Sequence, residues 1–264
     1  MVSKKISYKN TALHYTVQGN GNVVMLLHGF AEDHGIWENQ IEFLRQHFTV
    51  IAPDIFGSGE SEMLAGENIS LEDFALGIKE IITAENINEF VMIGHSMGGY
   101  ITLAYHDLFP NDLKAMGLIH STSYADDPIK IEMRNKAIQF LHKNGSAPFL
   151  KTSIPALFYD EEKNIETINN LIKNAGNIPS ANLAMYYYAM KMRPDRTVLL
   201  ERSSIPNLFI GGLYDKAVPI SHMLQQCIKP KIAQINILKN SAHFGMVEEP
   251  EAVNEILYKF LQDF

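Results

Sequence analysis

Short apolar runs alternate with longer amphipathic stretches along the chain. Val23–Leu27 reads VVMLL, a continuous apolar run that is typical of a strand buried on both faces. Ser70–Glu85 instead has apolar residues at helical spacing behind Ser70, a residue type that caps helices, which predicts an amphipathic helix. Repeated alternation of this kind predicts an α/β fold with a mainly parallel sheet covered by helices on both faces.

The pattern predicts eight strands, two of them in an opening hairpin around Asn10–Thr11 that would give the sheet an antiparallel edge. The predicted strands are Lys5–Tyr8, Leu13–Gln18, Val23–Leu27, Thr49–Ala52, Phe90–Ile93, Ala115–Ile119, Leu208–Ile210 and Ala233–Leu238. The predicted helices between and after them are Ile36–His47, Ser70–Glu85, Gly98–Leu108, Ser221–Cys227 and Pro250–Leu261.

The alternation stops between about Ser121 and Asp195, where helical patterns continue without a clear buried strand. We therefore expect an α/β core built from residues 1–121 and 195–264, interrupted by a helical insertion over residues 122–194. An insertion of roughly seventy residues is too long for an ordinary loop, which predicts a functional lid over the core.

Composition narrows the possible partners. The 264 residues are 46% hydrophobic and 20% charged, and 22 basic residues against 30 acidic ones give a net charge of −8. Without a basic patch, such a chain is not expected to bind nucleic acid. No apolar stretch approaches the ~20 residues of a membrane helix, and the first residues lack the apolar run of a signal peptide. We therefore expect a soluble cytoplasmic protein with no membrane partner; its oligomeric state stays open.

Cys227 is the only cysteine, which excludes an intrachain disulfide and a CxxC zinc site. A chain with so little cysteine suits a reducing compartment. The acidic cluster Asp126–Asp127 lacks the spacing of a calcium loop and is expected to be a solvated face. We expect no metal and no cofactor.

The segment Gly94–Gly99 reads GHSMGG and fits the pattern G-x-S-x-G. A predicted strand ends at Gly94 and a helical pattern begins after Ser96, which is the strand–turn–helix setting of a nucleophile elbow. The flanking glycines leave room for the strained turn, and the hydroxyl would project above the sheet beside a helix N-terminus. An ordinary glycine-rich turn is the alternative interpretation.

A serine hydroxyl needs a base, and that base needs an acid to orient it. His243 follows the last predicted strand, and Asp215 directly follows the strand Leu208–Ile210, so both belong at the carboxyl edge of the sheet. Taken alone, His243 could equally be a solvated loop residue and Asp215 an ordinary turn aspartate. The chain order Ser96, Asp215, His243 matches the Ser…Asp…His order of α/β hydrolases.

The chain resembles the α/β-hydrolase superfamily, in its small esterase- and lipase-like branch, across almost its whole length. The motifs that carry the resemblance are the GHSMGG elbow, Leu27–Phe30 (LHGF), Trp37, and the glycine turn Asp54–Ser61. The resemblance implies an eight-stranded, mostly parallel sheet with an inserted helical cap. Ser96 stands where haloalkane dehalogenases and epoxide hydrolases have an aspartate, so these two activities are not implied.

The resemblance also implies roles for individual residues. The backbone N–H groups of Phe30 and Met97 would form the oxyanion hole, while His28 and Gly29 would shape the neighbouring loop and line the substrate site. His120 would either touch the substrate or be a hydrogen-bonded structural histidine. Tyr186, in a run of three tyrosines, would line an apolar pocket under the cap or pack between helices.

The expected activity is the hydrolysis of small to medium, fairly apolar carboxylic esters through an acyl-enzyme on Ser96. The apolar lining is expected from the cap residues Phe140, Phe149, Leu150, Leu157, Phe158 and Tyr159. Two alternatives stay open. The same fold and residues serve C–C bond hydrolases, lactonases and perhydrolases, and some relatives use the pocket as a slow-turnover small-molecule receptor.

Overall fold

An eight-stranded sheet organises the molecule in the computed structural model, which describes residues 1–264. The strands are β1 (Val2–Tyr8), β2 (Thr11–Gln18), β3 (Val23–Leu27), β4 (Thr49–Pro53), β5 (Phe90–His95), β6 (Leu113–Ile119), β7 (Asn207–Gly212) and β8 (Ala233–Leu238). They lie in the order β1-β2-β4-β3-β5-β6-β7-β8. β2 pairs antiparallel with both β1 and β4, and all other pairs are parallel. The predicted eight-stranded α/β sheet with an antiparallel edge is confirmed.

Eleven α-helices surround and extend this sheet. They are α1 (Glu38–Leu44), α2 (Leu71–Ala84), α3 (Met97–Leu108), α4 (Pro128–Asn144), α5 (Ser146–Ser153), α6 (Ile165–Ala175), α7 (Ser180–Met192), α8 (Thr197–Arg202), α9 (Ile220–Gln226), α10 (Gly245–Glu248) and α11 (Pro250–Leu261). Short 3₁₀ turns cover His34–Trp37 and Pro155–Leu157. None of the helices combines the length and the apolarity that crossing a bilayer requires.

Local sequence explains where α2 begins. The Ser70 side chain accepts a hydrogen bond from the Asp73 N–H, and the Asp73 carboxylate accepts one from the Ser70 N–H, so the two residues form a capping box. Phe74, Ile78 and Ile81 form a buried face behind this cap. The helix predicted from the same pattern is confirmed to within a residue at each end.

The strand order reverses between β3 and β5. The chain leaves β3 toward β4 on one side of the sheet, and β5 then pairs with β3 on the other side. In open α/β sheets, ligands bind beyond the carboxyl ends of strands at such a reversal. The loops that follow β3 and β5 carry Phe30 and Ser96, so topology alone brings these two residues to one crevice.

The helices α4 to α8 all fall between β6 and β7, in the stretch where the alternation of strands and helices stops. We call α4 to α7 the cap. The Tyr186 hydroxyl of α7 is anchored to the core: it donates to the Phe56 carbonyl and bonds the Ser58 hydroxyl, both at 2.8 Å. These contacts fix the cap over the carboxyl edge of the sheet.

Candidate active site

Ser96 lies between β5 and α3 with a strained backbone, at φ +48° and ψ −114°. The neighbouring glycines make this turn possible. A Cβ on Gly94 would lie 2.3 Å from the Gly98 carbonyl, and a Cβ on Gly98 would lie 2.4 Å from the Leu27 carbonyl oxygen. Strain of this kind is held only where the surrounding structure enforces it, and it is common at reactive residues. The structure places Ser96, half-buried, at the tip of the predicted elbow.

His243 and Asp215 meet Ser96 from two other loops. The His243 Nε2 atom lies 3.0 Å from the Ser96 Oγ, and its Nδ1 lies 2.8 Å from an Asp215 carboxylate oxygen. His243 and Asp215 are each 5% exposed. The Nδ1 proton therefore faces the carboxylate, and Nε2 is free to accept the Ser96 proton.

The Asp215 carboxylate is held in its ionised form. Its second oxygen accepts the Ala217 and Val218 N–H groups at 2.8 and 2.9 Å. Burial on its own would raise the pKa of Asp215, but the charge of His243 and the hydrogen bonds from His120 and His243 outweigh it and hold the pKa well below its usual range. A permanent negative charge at this position stabilises an imidazolium on His243.

His120 supports Asp215 and does not face the substrate side. Its Nε2 accepts the Gly245 N–H at 3.1 Å, so its Nδ1 carries the proton and donates it to Asp215 at 3.1 Å. Burial, the largest influence, lowers the pKa of His120 to about 4 despite the carboxylate, so the ring is neutral. The alternative of substrate contact by His120 is wrong, because both ring nitrogens are occupied in the buried interior.

His28 is another predicted substrate contact that the structure corrects. The ring is fully buried, with Nδ1 donating to the Gly29 carbonyl at 2.9 Å and Nε2 accepting the Ile55 N–H at 3.0 Å. It therefore joins the loop after β3 to the loop after β4. Gly29 does adjoin the nucleophile: a Cβ there would lie 3.1 Å from the Ser96 Cβ, so a side chain at this position would crowd it.

The predicted oxyanion-hole donors sit beside the nucleophile. Met97 is the first residue of α3, where backbone N–H groups have no partner within the helix. Phe30 lies in the loop directly after Gly29, across the strand reversal from Ser96. Neither N–H donates to a loop, cap or side-chain acceptor, and their role as oxyanion-hole donors stays a prediction.

Sequence reasoning missed a buried ion pair beneath this site. The Glu32 carboxylate accepts the Gly29 N–H at 2.8 Å and pairs with the His95 Nδ1 at 3.0 Å, and the His95 Nε2 lies 2.9 Å from the His243 carbonyl oxygen. Both partners of His95 are acceptors, so both ring nitrogens carry protons. Although burial opposes it, the Glu32 charge raises the pKa of His95. No local pattern around Glu32 signals this role.

Tyr186 was expected to line the pocket or to pack between helices, and packing is what the structure shows. Its side chain is fully buried, and its hydroxyl already bonds the Phe56 carbonyl and the Ser58 hydroxyl. Burial raises its pKa above the usual range for a tyrosine. The prediction of direct substrate binding by Tyr186 is therefore wrong; the residue fastens the cap to the core.

The cap lining also differs from expectation. Phe149 packs edge-on against Phe30, with ring centroids 6.4 Å apart, and the Leu157 carbonyl accepts the His243 N–H at 2.9 Å. Tyr159, in contrast, is 46% exposed and stacks on Tyr214 outside the site. A cleft of about 990 Å³ separates α6 from the loops around Ala31–Asn39 and Gly57–Met63, and Ser96 does not line it.

Two groups of side chains bring possible metal ligands within reach of one another: His14, His34 and Asp54, and His120, Asp215 and His243. In each group the Nδ1 atoms of both histidines bond the carboxylate, at distances from 2.7 to 3.1 Å. The carboxylate is thus already the partner of both rings. The first group anchors the turn Asp54–Ser61, since Asp54 also accepts the Glu60 N–H at 3.0 Å.

A mostly parallel sheet with a strained serine, a histidine and a buried aspartate at its carboxyl edge defines a class of hydrolases. Residues 22–250 match the family model described as alpha/beta hydrolase fold. The chain belongs to this family, and it is a hydrolase of the α/β fold.

Relatives with curated names show the range of this family. The chain is similar to an (E)-2-((N-methylformamido)methylene)succinate hydrolase of Acinetobacter baylyi, at 26% identity over 99% of both chains. It is also similar to a 3-oxoadipate enol-lactonase of the same organism, at 24% identity over 92% of this chain and 90% of the relative.

Among solved structures, a thermophilic esterase from Thermogutta terrifontis, with malate bound, superposes with a TM-score of 0.93. It is 26% identical, and the match covers 100% of this chain and 99% of the esterase. An enol-lactonase from Burkholderia xenovorans superposes with a TM-score of 0.91 over 98% of this chain and 100% of the other, but at 19% identity it shows the fold alone.

Proposed function

We propose that this protein is a serine hydrolase that cleaves carboxylic esters through an acyl-enzyme on Ser96. One observation carries the proposal: the continuous hydrogen-bonded path from the Ser96 Oγ through His243 to Asp215, with distances of 3.0 and 2.8 Å. A serine hydroxyl becomes a nucleophile only when a positioned base can take its proton, and this geometry supplies that base.

In the proposed reaction, the His243 Nε2 removes the Ser96 proton as the Oγ attacks the ester carbonyl. The charge that develops on the carbonyl oxygen is stabilised by the Phe30 and Met97 N–H groups, because donors aimed at a developing oxyanion act in the transition state. The imidazolium then protonates the leaving alcohol. Water activated by His243 attacks the acyl-enzyme and releases the acid.

The walls around Ser96 favour acyl groups of small to medium size. The rings of Phe30 and Tyr187 lie 4.4 Å apart, and Phe149 packs against both of them. These three side chains are half-buried, and Phe30 follows Gly29, which adjoins Ser96, so in the proposed site their apolar surface lines the acyl pocket. The ester carbonyl and the first carbons of the acyl chain would lie against this aromatic wall.

The relatives act on more than one kind of bond, and therefore the esterase proposal must be separated from its alternatives. One similar protein is named a lactonase and another an esterase. Lactones and vinylogous diketones, assayed beside simple esters, distinguish the ester reaction from lactone and C–C bond hydrolysis. A receptor would bind such compounds without turnover.

The test is a comparison of wild type with Ser96→Ala on a series of p-nitrophenyl esters and on a fluorophosphonate probe. We expect the wild type to hydrolyse short and medium esters and to be labelled once, at Ser96. The variant should lose activity by about three or more orders of magnitude, since removing a nucleophile removes the whole covalent path. Undiminished activity in the alanine variant, or an unlabelled but binding-competent wild type, would overturn the proposal.

A further inference from the structure

A buried cluster of charged side chains lies where the cap meets the core. Arg134 on α4 and Arg193 after α7 both bond the carboxylate of Asp126, the Arg193 Nη1 at 2.8 Å. The three residues are between 6% and 9% exposed. Asp126 was expected on a solvated face, and that expectation is wrong, because Arg134 and Arg193 both pair with it and bury it. Two guanidinium cations share one carboxylate, so the cluster carries an excess positive charge.

A third cation extends the cluster toward the Asp215 loop. Lys130, one turn before Arg134 on α4, donates to the Ala217 carbonyl at 3.2 Å. The neighbouring Asp127 does not offset it, because Asp127 is exposed and its carboxylate caps the α4 backbone. The cluster therefore has three cations around a single buried anion.

The charges of this cluster act directly on Tyr100. The guanidinium of Arg193 lies 4.0 Å from the centroid of the Tyr100 ring, and Tyr100 is fully buried. Burial alone would raise the pKa of the Tyr100 hydroxyl, yet the charges of Arg193, Lys130 and Arg134 lower it below its usual value. At this hydroxyl the three cations therefore outweigh the opposing charge of Asp126.

The cluster also contains an unsatisfied donor. The Nε atom of Arg193 is buried and has no hydrogen-bond partner, and the whole side chain is only 3% exposed. Leaving a buried charged donor without a partner is unfavourable, because its lost hydration is not replaced. An anion would satisfy this donor, and a planar carboxylate suits the guanidinium geometry best.

The cluster lies next to the proposed reaction centre. Tyr100 is one turn after Ser96 on α3, and the Arg134 guanidinium lies 5.5 Å from the Tyr187 ring, which in turn packs on Phe30. Ser96, Phe30, Tyr187 and Lys130 are all half-buried among buried neighbours. A chain of contacts from Phe30 through Tyr187 to Arg134 therefore joins the loop after β3 to the cations.

We propose that the cluster Lys130, Arg134 and Arg193 is a subsite for a free carboxylate of the substrate, at the end opposite the ester. The substrate class is then the monoester of a dicarboxylic acid, with its methylene chain against the aromatic wall. This inference rests on the proposed function and refines it, since the fairly apolar acyl group expected from the sequence would end in an acid.

The experiment compares kcat/KM for pairs of ethyl esters that differ only in the terminal acid, measured by pH-stat. Monoethyl succinate, glutarate and adipate are matched by ethyl butanoate, pentanoate and hexanoate. We expect the wild type to prefer the acidic ester at one chain length. Equal or better hydrolysis of the neutral ester at every length would overturn the subsite.

Arg193→Gln is the informative variant, because it leaves Asp126 and Arg134 as a balanced pair. It should lower kcat/KM for the acidic ester at least about tenfold more than for its neutral partner, as expected for the loss of a hydrogen bond to a charged group. Arg196→Gln is the matched control, since Arg196 is equally buried at 6% but pairs with Glu72 and Asp107. It should change both substrates by the same factor.

Direct binding separates failure of the subsite from failure of the esterase proposal. Adipate is titrated calorimetrically into Ser96→Ala, with and without Arg193→Gln. If the wild type hydrolyses no ester, the proposed function falls, and adipate binding that depends on Arg193 still upholds the subsite. Absence of adipate binding to Ser96→Ala overturns the subsite. If Arg193→Gln does not fold, Lys130→Gln replaces it, and an unchanged acidic-to-neutral ratio there counts against the subsite.

Discussion

The buried pair of Glu32 and His95 connects the two halves of the candidate site. Through the Gly29 N–H it fixes the loop that carries Phe30, and through the His243 carbonyl it fixes the loop that carries the proposed base. Glu32 is 5% exposed and His95 is fully buried. Removing Glu32 therefore tests whether this polar core, which touches no substrate, holds the reactive groups in place.

We expect Glu32→Ala to destabilise the protein by about 3–5 kcal/mol. Two hydrogen bonds end on this carboxylate, and each bond to a charged group contributes about 1.5–3 kcal/mol, or about 3–6 kcal/mol together. The loss seen when one partner of a buried ion pair is removed is likewise about 3–5 kcal/mol, because the other charge stays buried and unpaired.

Glu32→Gln should be less costly, because it can keep both hydrogen bonds while losing the charge. Gly29 and His95 both bond the same carboxylate oxygen, and the Gln carbonyl oxygen can take its place as acceptor. The measurement is urea unfolding followed by far-ultraviolet circular dichroism at neutral pH. Glu67→Ala, in an exposed loop with no ion-pair partner, is the control and should not move the midpoint.

The pH dependence of stability is a second test of the pair of Glu32 and His95. Glu32 has a pKa lowered by His95 against the opposing effect of burial, so its stabilisation is lost as the pH falls through that lowered pKa. His95 has a raised pKa, so its stabilisation is lost as the pH rises through that raised value. The stability difference between wild type and Glu32→Gln should be largest between these limits. A loss below about 1 kcal/mol in Glu32→Ala would refute the ion-pair interpretation, since the pair was predicted to contribute several times more.

Three further changes probe the neighbouring contacts. Tyr186→Phe should lower the free energy of unfolding by about 1–3 kcal/mol because it leaves the Phe56 carbonyl unpaired, and Tyr188→Phe, whose hydroxyl bonds an exposed partner, should cost less in the same thermal melt. His120→Ala should lower kcat about tenfold to a hundredfold through the lost bond to Asp215, whereas His120→Asn, which keeps a donor there and tolerates the positive φ of +49°, should retain most of the rate. Asp215→Asn should reduce kcat about 10⁴-fold, as in a serine protease with the same change, because the amide orients the wrong tautomer of the base; a loss under tenfold would argue against the proposed triad.

Sequence periodicity was enough to predict the sheet because its signal is local. A buried parallel strand such as Val23–Leu27 is apolar throughout, and α2 starts at a cap whose residues are three positions apart. The elbow around Ser96 was predictable for the same reason, since its glycines and its serine have fixed spacing. The candidate base and acid followed from their places after strands in the expected order.

Polar partners from distant parts of the chain could not be predicted in this way. Asp126 meets Arg193 across 67 positions, and Glu32 meets His95 across 63. Whether an acidic side chain is buried or solvated depends on whether such a partner reaches it, because an unpaired buried charge is too costly to persist. The sequence shows each residue but not which residues contact each other in the fold. For this reason Asp126 was expected to be a surface residue.

The histidines at this edge of the sheet have two kinds of role: one is positioned to react with Ser96, and the others hold the surrounding loops. His28, His95 and His120 each have both ring nitrogens engaged by buried partners, so they hold loops and leave no donor or acceptor for a ligand. Only His243 directs a ring nitrogen at a hydroxyl on a strained turn. Because the core groups are fixed, differences in substrate preference must arise from the half-buried side chains that the cap brings over Ser96. The cations proposed as a carboxylate subsite lie behind those side chains, on α4 and directly after α7, and so substitutions there should change specificity without disturbing the reactive groups.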